Sequence, residues 1–409
     1  MIRNWLVFII FLFSKLSCSM AVEINNDDEA KQPSFAENYE IIPGAWQTHE
    51  YFPSLEGKAI ALVGNHSSLI GDVHLVDTLL ASGFNLLRVF SPEHGFRGEA
   101  ADGQLIESGI DPVTGVSVVS LYGATRRPDP NDIKDLDLII FDIQDVGTRF
   151  YTYISTMSYV MEEAARQQVP MLILDRPNPN GHFVDGPILE KEYSTFVGLH
   201  PIPTVHGMTV AEYAQMVNGQ GWLGDGLKCE LHIVPVKNYQ RQMWYKLPVA
   251  PSPNLPNMTS IMLYPGLCLF EGTTLSIGRG TDFPFQVYGH PDLPAVEFPF
   301  SFTPQSRRES VYPPLEGNLS YGMDLRTQDS QKLMELSKID LKHLLHAFNY
   351  FPDKNNFFNG SFDRLAGNSK LRKQIMEGKT EEEIRSTWQE GIDDFIEMRR
   401  AYLIYPDIY

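Results

Sequence analysis

Apolar residues in the first half of the chain fall into short, nearly continuous runs. Between those runs they recur at helical spacing. The runs KAIALVG (58–64), FNLLRVF (84–90), VSVVSLYG (116–123), LDLIIFDI (136–143) and VPMLILD (169–175) are rich in Val, Ile and Leu. A strand wetted on one face alternates apolar with polar positions, so runs this uniform predict strands buried on both faces of a parallel sheet. The segments DVHLVDTLLASG (72–83), DPNDIKDL (129–136) and YISTMSYVMEEAARQQ (153–168) predict helices between them, the first closed by Gly83. Further on, TVAEYAQMVNG (209–219) predicts a helix with Thr209 as N-cap and Gly219 as its stop, and CELHIVPV (229–236) predicts another strand. Strands alternating with helices place the chain in the α/β class, as a doubly wound, mostly parallel open sheet.

The pattern changes beyond residue 285. EFPFSFTPQS (297–306), YGMDLR (321–326) and FFNGSFDRL (357–365) predict strands. SKIDLKHLLHAFNYF (337–351) and EEEIRSTWQEGIDDFIEMRRAYLIY (381–405) predict amphipathic helices. Residues 41–285 thus read as a Rossmann-like main domain and 286–409 as a smaller α+β C-terminal domain. Residues 22–40 are polar and acidic and read as a loose arm. Residues 1–21 read as a signal peptide. A basic start at Arg3 leads into WLVFIIFLF, too short to span a bilayer, and Ser19-Met20-Ala21 fits the small-x-small cleavage rule. Export to a periplasmic or extracellular location follows from that reading. KLSC keeps a lipid anchor at Cys18 open as an alternative, and no later run is long enough for a membrane span.

Composition narrows the partners. The chain of 409 residues is 43% hydrophobic and 21% charged, as globular proteins are. Its formal charge of −18 disfavours nucleic acid, whose phosphates attract basic surfaces. Cys229 and Cys268 lack metal-ligand spacing; a disulfide between them and two buried thiols both remain open.

Ionisable residues collect where the predicted strands end. Asn65 and His66 follow the first run, Glu93 and His94 the second, and Tyr122 ends the third. Asp142, Asp145, Arg149 and Tyr151 follow the fourth; Asp175, Arg176 and Asn178 follow the fifth. Ligands of open parallel sheets bind outside these carboxyl ends. Each residue also has a structural reading: Asn65 as a turn residue, Glu93 as a solvated loop acid, Asp142 and Asp145 as helix caps, and Asp175 with Arg176 as an internal ion pair. FEGTTLSIGRGTDFPF (270–285) gathers Glu271, Arg279 and Asp282 among glycines that let backbone approach a ligand. Dinucleotide, P-loop, GxSxG and HExxH motifs are absent, so no motif calls for a cofactor or a metal.

Seven segments carry a resemblance: GNHSSL, SPEHGFRG, FDIQDVGTRFYTYI, DRPNPNG, VHGMTVAEYA, APSPNLPN and YPGLCLFEGTTLSIGRGTD. Together they resemble the exo-β-N-acetylmuramidases of the NamZ type, from about residue 45 to the C-terminal FIEMRRAYLIYP. The resemblance implies a catalytic Rossmann-like domain, an auxiliary C-terminal domain and a cleft between them. It implies release of N-acetylmuramic acid from the non-reducing end of peptidoglycan fragments, without cofactor. Glu93, in the SPEHG motif, becomes the acid/base, and Tyr151 an active-site tyrosine favoured over Tyr153. His94 would tune Glu93, whose own pKa burial would raise, and Asp142 and Asp145 are rival second carboxylates. Arg149, Arg176 and Arg279 are candidates for the lactyl carboxylate of the sugar. Asn65, Asn178 and Asn254 would bind its hydroxyls or acetamido group, with His66, His206 and Glu271 completing the substrate-binding candidates. Two other classes stay open: a metal-dependent hydrolase built on Asp142, Asp145 and histidines, and an exported muramyl-sugar-binding protein without turnover. Retaining or inverting stereochemistry and oligomeric state are likewise open.

Overall fold

The computed structural model of the protein describes residues 40–97, 107–123 and 125–409. The expected leader, Cys18 and nearly all of the arm lie outside the described residues. Strand β1 (Ala59–Gly64) leads into a hairpin, β2 (Leu69–Ile70) and β3 (Val73–His74). β4 (Asn85–Ser91), β5 (Gly109–Ile110), β6 (Ser117–Ser120), β7 (Leu138–Asp142), β8 (Met171–Leu174) and β9 (Leu231–Val234) follow. Seven of these form one sheet in the order β5-β6-β4-β1-β7-β8-β9. Only the edge pair β5–β6 in that sheet is antiparallel. The six parallel strands, counted along the chain, run 3-2-1-4-5-6, the doubly wound order.

The uniform apolar runs are explained by what each face meets. Successive side chains of a strand point to opposite faces. Ile60 and Leu62 of β1 join Leu138 and Ile140 of β7 under α1 (Thr48–Leu55) and α2 (Leu75–Ala81). Ala61 and Val63 join Ile139 and Phe141 under α3 (Tyr153–Gln167) and α4 (Val210–Gly219). Both faces are covered, so neither position of the alternation can be polar. α4 opens with the expected Thr209 cap, in a capping box with Glu212.

Three expected elements come out differently. The helix expected from residue 72 starts at Leu75, because Val73 and His74 pair with Leu69 and Ile70; His74 Nδ1 then accepts the Val76 N–H at 3.2 Å as the cap. The helix expected over 129–136 shrinks to a 3-10 turn at Pro130–Asp132. Its buried anchors, Ile133 and Leu136, are one 3-10 turn apart. The strand expected over 357–365 is a single bridge from Phe358 to Thr273 followed by a helix, Phe362–Ala366, closed by Gly367 at φ 85°. Its buried Phe362, Leu365 and Ala366 follow helical spacing.

α5 (Met258–Leu267) was not foreshadowed, being apolar all round and interrupted by Pro265. A three-stranded antiparallel sheet follows, of β10 (Val287–His290), β11 (Phe300–Phe302) and β12 (Ser320–Asp324), with β12 in the middle. A helix at Lys342–Tyr350 lies within its expected span. The long helix expected over 381–405 breaks into Glu381–Ser386 and Gln389–Arg399. At the break, the Trp388 indole N–H turns to Asp185 at 3.1 Å. Cys229 and Cys268 are free, buried thiols. No helix among the described residues is long and apolar enough to cross a membrane.

Candidate active site

The site lies at the carboxyl ends of β1, β4 and β7, where the winding of the sheet reverses. After β4, Pro92-Glu93 runs into His94 at φ 69° and Gly95 at φ 81°. A left-handed histidine is costly, and here it turns the chain sharply beside Glu93. Arg97 fixes the far side of the turn. It grips Asp111 through two bonds of 3.0 and 2.7 Å, reaches Asp77 at 3.6 Å and lies over the Phe96 ring. The guanidinium holds the Asp111 carboxyl well below the usual range.

The loop after β7 is fastened at each step. Asp142 receives both prongs of Arg176, at 2.6 and 2.9 Å, in a wholly buried pair, and Arg176 also donates to the Leu69 carbonyl at 3.2 Å. The Gln144 N–H donates to Ser67 Oγ at 3.0 Å, joining this loop to the one after β1. Gly147, at φ 77°, passes so close to Asn178 that a Cβ there would collide with the amide. Arg149 is buried and donates to the carbonyls of Pro187 and Ile202, both at 2.7 Å, and of Leu365 at 3.0 Å. Burial lowers its pKa to about 9. The loop thus delivers Tyr151, Thr152 and Tyr153 rigidly to the mouth of the sheet.

These residues line an open pocket of about 400 Å³ with Glu93, His94, Phe150, Ser252, Asn254, Leu255, Tyr264, Arg279 and Phe285. Glu93 is the one carboxylate among its described lining residues. It is half-buried, and its Oε2 accepts the Thr152 hydroxyl at 3.0 Å. The Tyr151 and Tyr153 rings meet edge to face, 4.9 Å apart. Their hydroxyls are buried near Ser252 and Asn65 without reaching hydrogen-bond geometry. Burial first, and neighbouring acidic groups second, push both phenols well above their ordinary pKa, so each stands as a neutral O–H donor. His94 Nδ1 also lacks a partner among the described residues.

Asp145 sits behind this wall. Its Oδ2 accepts the Gly147 N–H at 2.6 Å, while Oδ1 has no partner among the described residues. Burial pushes its pKa up to about 7. Asp145 is not among the residues that line the pocket.

The other candidate residues divide by location. Asn65 turns its Oδ1 to Ser67, and its Nδ2 has no partner among the described residues. His66 Nε2 bonds the Ala250 carbonyl at 2.8 Å, joining the first loop to the strap that carries Ser252 and Asn254. Asn178 serves the backbone, donating to Met208 and accepting from Asn180. His206 is buried among Arg399, Arg241 and Arg149, with its pKa lowered to about 3, chiefly by burial. Glu271 lies just outside the pocket and holds Arg279 at 2.7 Å. Of the three candidate arginines, Arg279 is the one that lines the pocket. Tyr122 packs toward Phe196, and Asp175 accepts the Tyr405 hydroxyl at 2.6 Å, so the ends of β6 and β8 serve packing. Asp142 and Arg176 together are a structural pair, and among the described residues no group of three His, Cys, Asp or Glu could hold a metal ion.

Thr152 was missed from sequence, as were Ser252 and Tyr264. Thr152 occupies the N-cap of α3 but makes no capping bond, its hydroxyl being turned to Glu93. A threonine at a helix start ordinarily caps it, which hid this one.

Comparison with known proteins points to one family and one fold. The profile described as "Exo-beta-N-acetylmuramidase NamZ, N-terminal" matches residues 60–259, and its C-terminal counterpart matches 262–405. The peptidoglycan beta-N-acetylmuramidase NamZ of Bacillus subtilis is 38% identical over 97% of each chain. A crystal structure of a DUF1343 family protein from Bacteroides fragilis superposes with a TM-score of 0.84 at 44% identity, covering 90% of this chain and all of the other. A second from the same organism gives 0.77 at 28% identity, over 90% and 99%.

Proposed function

The chain belongs to the NamZ exo-β-N-acetylmuramidase family, and from that premise we propose that it releases N-acetylmuramic acid from the non-reducing end of peptidoglycan fragments, with Glu93 as general acid/base. The activity itself follows from the family and from the close relative in Bacillus subtilis. One observation carries the role of Glu93: no other described residue lining the pocket is a carboxylate.

Glycoside cleavage needs a proton at the leaving oxygen and stabilisation of an oxocarbenium-like transition state. Glu93 donates that proton and later takes one from the attacking water. Thr152 holds one of its oxygens, which orients the other toward the pocket. Tyr151 and Tyr153 supply neutral hydroxyls on the same wall, where Asp142 and Asp145 do not reach. A buried phenol with a raised pKa is a better hydrogen-bond donor than nucleophile. Arg279 presents the guanidinium that suits the lactyl carboxylate, and Asn254 an amide for the acetamido group.

The test is Glu93→Gln, which keeps the shape and removes the proton. Release of N-acetylmuramic acid from a chromogenic muramide is expected to fall by about a hundred- to ten-thousand-fold, with the melting temperature unchanged. Undiminished turnover would remove Glu93 from the mechanism.

A further inference from the structure

Arg279 forms part of two walls. On one side is the Glu93 pocket; on the other a larger groove opens, of about 1390 Å³. Thr273, Thr274, His290, Ser310, Tyr312 and Asn359 contribute to its lining. The far wall is the segment 305–315, which is clamped to the rim of the pocket. The Gln305 N–H donates to the Gly280 carbonyl at 2.9 Å, Arg307 pairs with Asp282, and the Asn254 amide reaches the Glu309 carbonyl at 3.4 Å. Gly280 permits this closeness, since a Cβ there would meet Gln305 O at 2.5 Å and the Pro313 ring at 2.6 Å.

Within this clamped segment Tyr312 is left 90% exposed. A large aromatic ring in water contributes no burial to folding, which leaves its face open to a ligand in the groove. The groove is also nearly uncharged. Arg279 is held by Glu271, and burial lowers the pKa of His290, which favours the neutral ring. Hydroxyls and an amide supply its polarity, and Thr274 Oγ1 has no partner among the described residues. An aromatic face for the C–H side of a pyranose, flanked by neutral donors and acceptors, suits a sugar.

We propose that this groove binds the leaving saccharide, the N-acetylglucosamine-containing glycan on the reducing side of the scissile bond, with its ring face on Tyr312. The proposal rests on the muramidase reading. An exo-enzyme whose catalytic pocket takes one terminal sugar needs a contiguous place for the rest of the chain, and the groove shares Arg279 with that pocket.

The test compares the whole protein with Tyr312→Ala and Tyr312→Trp on two substrates. One is the disaccharide in which N-acetylmuramic acid is β-1,4-linked to N-acetylglucosamine. The other is β-N-acetylmuramyl fluoride, whose leaving group is one atom and cannot enter the groove. The ratio of kcat/KM for disaccharide over fluoride is expected to fall about tenfold in Tyr312→Ala, the scale of one lost aromatic contact, and to recover in Tyr312→Trp. A ratio within twofold of wild type overturns the proposal. So does a defect confined to muramides that carry a stem peptide, which would assign the groove to peptide. Wild-type protein that turns over neither substrate would sink the muramidase reading itself, and this inference with it.

Discussion

The role proposed for Glu93 would make the chemistry depend on the Thr152 hydroxyl. It is placed to cap α3 and instead donates to Glu93 at 3.0 Å. A side-chain hydrogen bond contributes about 0.5–1.5 kcal/mol net. Thr152→Val, which keeps the shape, is therefore expected to lower kcat about two- to tenfold with little change in KM, and Thr152→Ser to restore it. Steady-state kinetics on a chromogenic muramide check this; a rise in KM at constant kcat would place Thr152 in substrate binding instead. Glu93 was singled out at this scale by the motif around it. Its Thr152 partner was not, since a threonine before a helix has a commoner use. From sequence Asp142 had a structural reading as a helix cap and Arg176 as the ion-pair partner of Asp175; the structure instead pairs Arg176 with Asp142, in a buried bidentate contact.

Among elements, the loop from Ile143 to Thr152 matters most, because it carries Tyr151 and Thr152 and leads into Tyr153 at the start of α3. Its shape turns on Gly147, left-handed at φ 77° and pressed against an Asn178 amide that is itself bonded to Met208 and Asn180. Gly147→Ala must strain the backbone and displace Asn178. A loss of about 1–3 kcal/mol is expected, together with reduced turnover. Gly83→Ala is the control: at φ 81° it meets the same backbone strain, but a Cβ there has open space. Chemical denaturation should rank Gly147→Ala as clearly the more damaging; equal losses would mean that the contact with Asn178 contributes nothing. The strands and the helices α3 and α4 were readable because their apolar spacing repeats over whole elements. α5 was not, since a helix buried all round has no periodic face to detect.

For the whole molecule, buried ionisable groups set the pH range of stability. Asp145 and Asp175 have folded pKa values raised to about 7, chiefly by burial. A raised carboxyl binds its proton more tightly when folded, so its contribution is full below the unfolded value of 3.8 and lost as pH rises through about 7. His182 and His200, lowered to about 4, and His206, lowered to about 3, act in the opposite sense. Unfolded histidine takes up a proton below 6.5 and the folded form does not, so stability falls as pH drops from there toward 3–4. Between about pH 4 and 7 the two effects therefore oppose each other, and Asp145→Asn, which keeps an acceptor for the Gly147 N–H, is expected to lose less stability than the wild type as pH rises from 4 to 7. Melting temperatures across that range check this; an unaltered slope in that variant would show that Asp145 ionises without cost. The sequence by itself determined the α/β class, the course of the parallel strands and the family, because those depend on periodicities and motifs local to short stretches. Tertiary structure alone decided which charged residues reach the pocket. Desolvation and pairing depend on neighbours distant in the chain, and these draw Asp142 to Arg176, leave Asp145 buried and set Glu93 beside Thr152 and the two tyrosines.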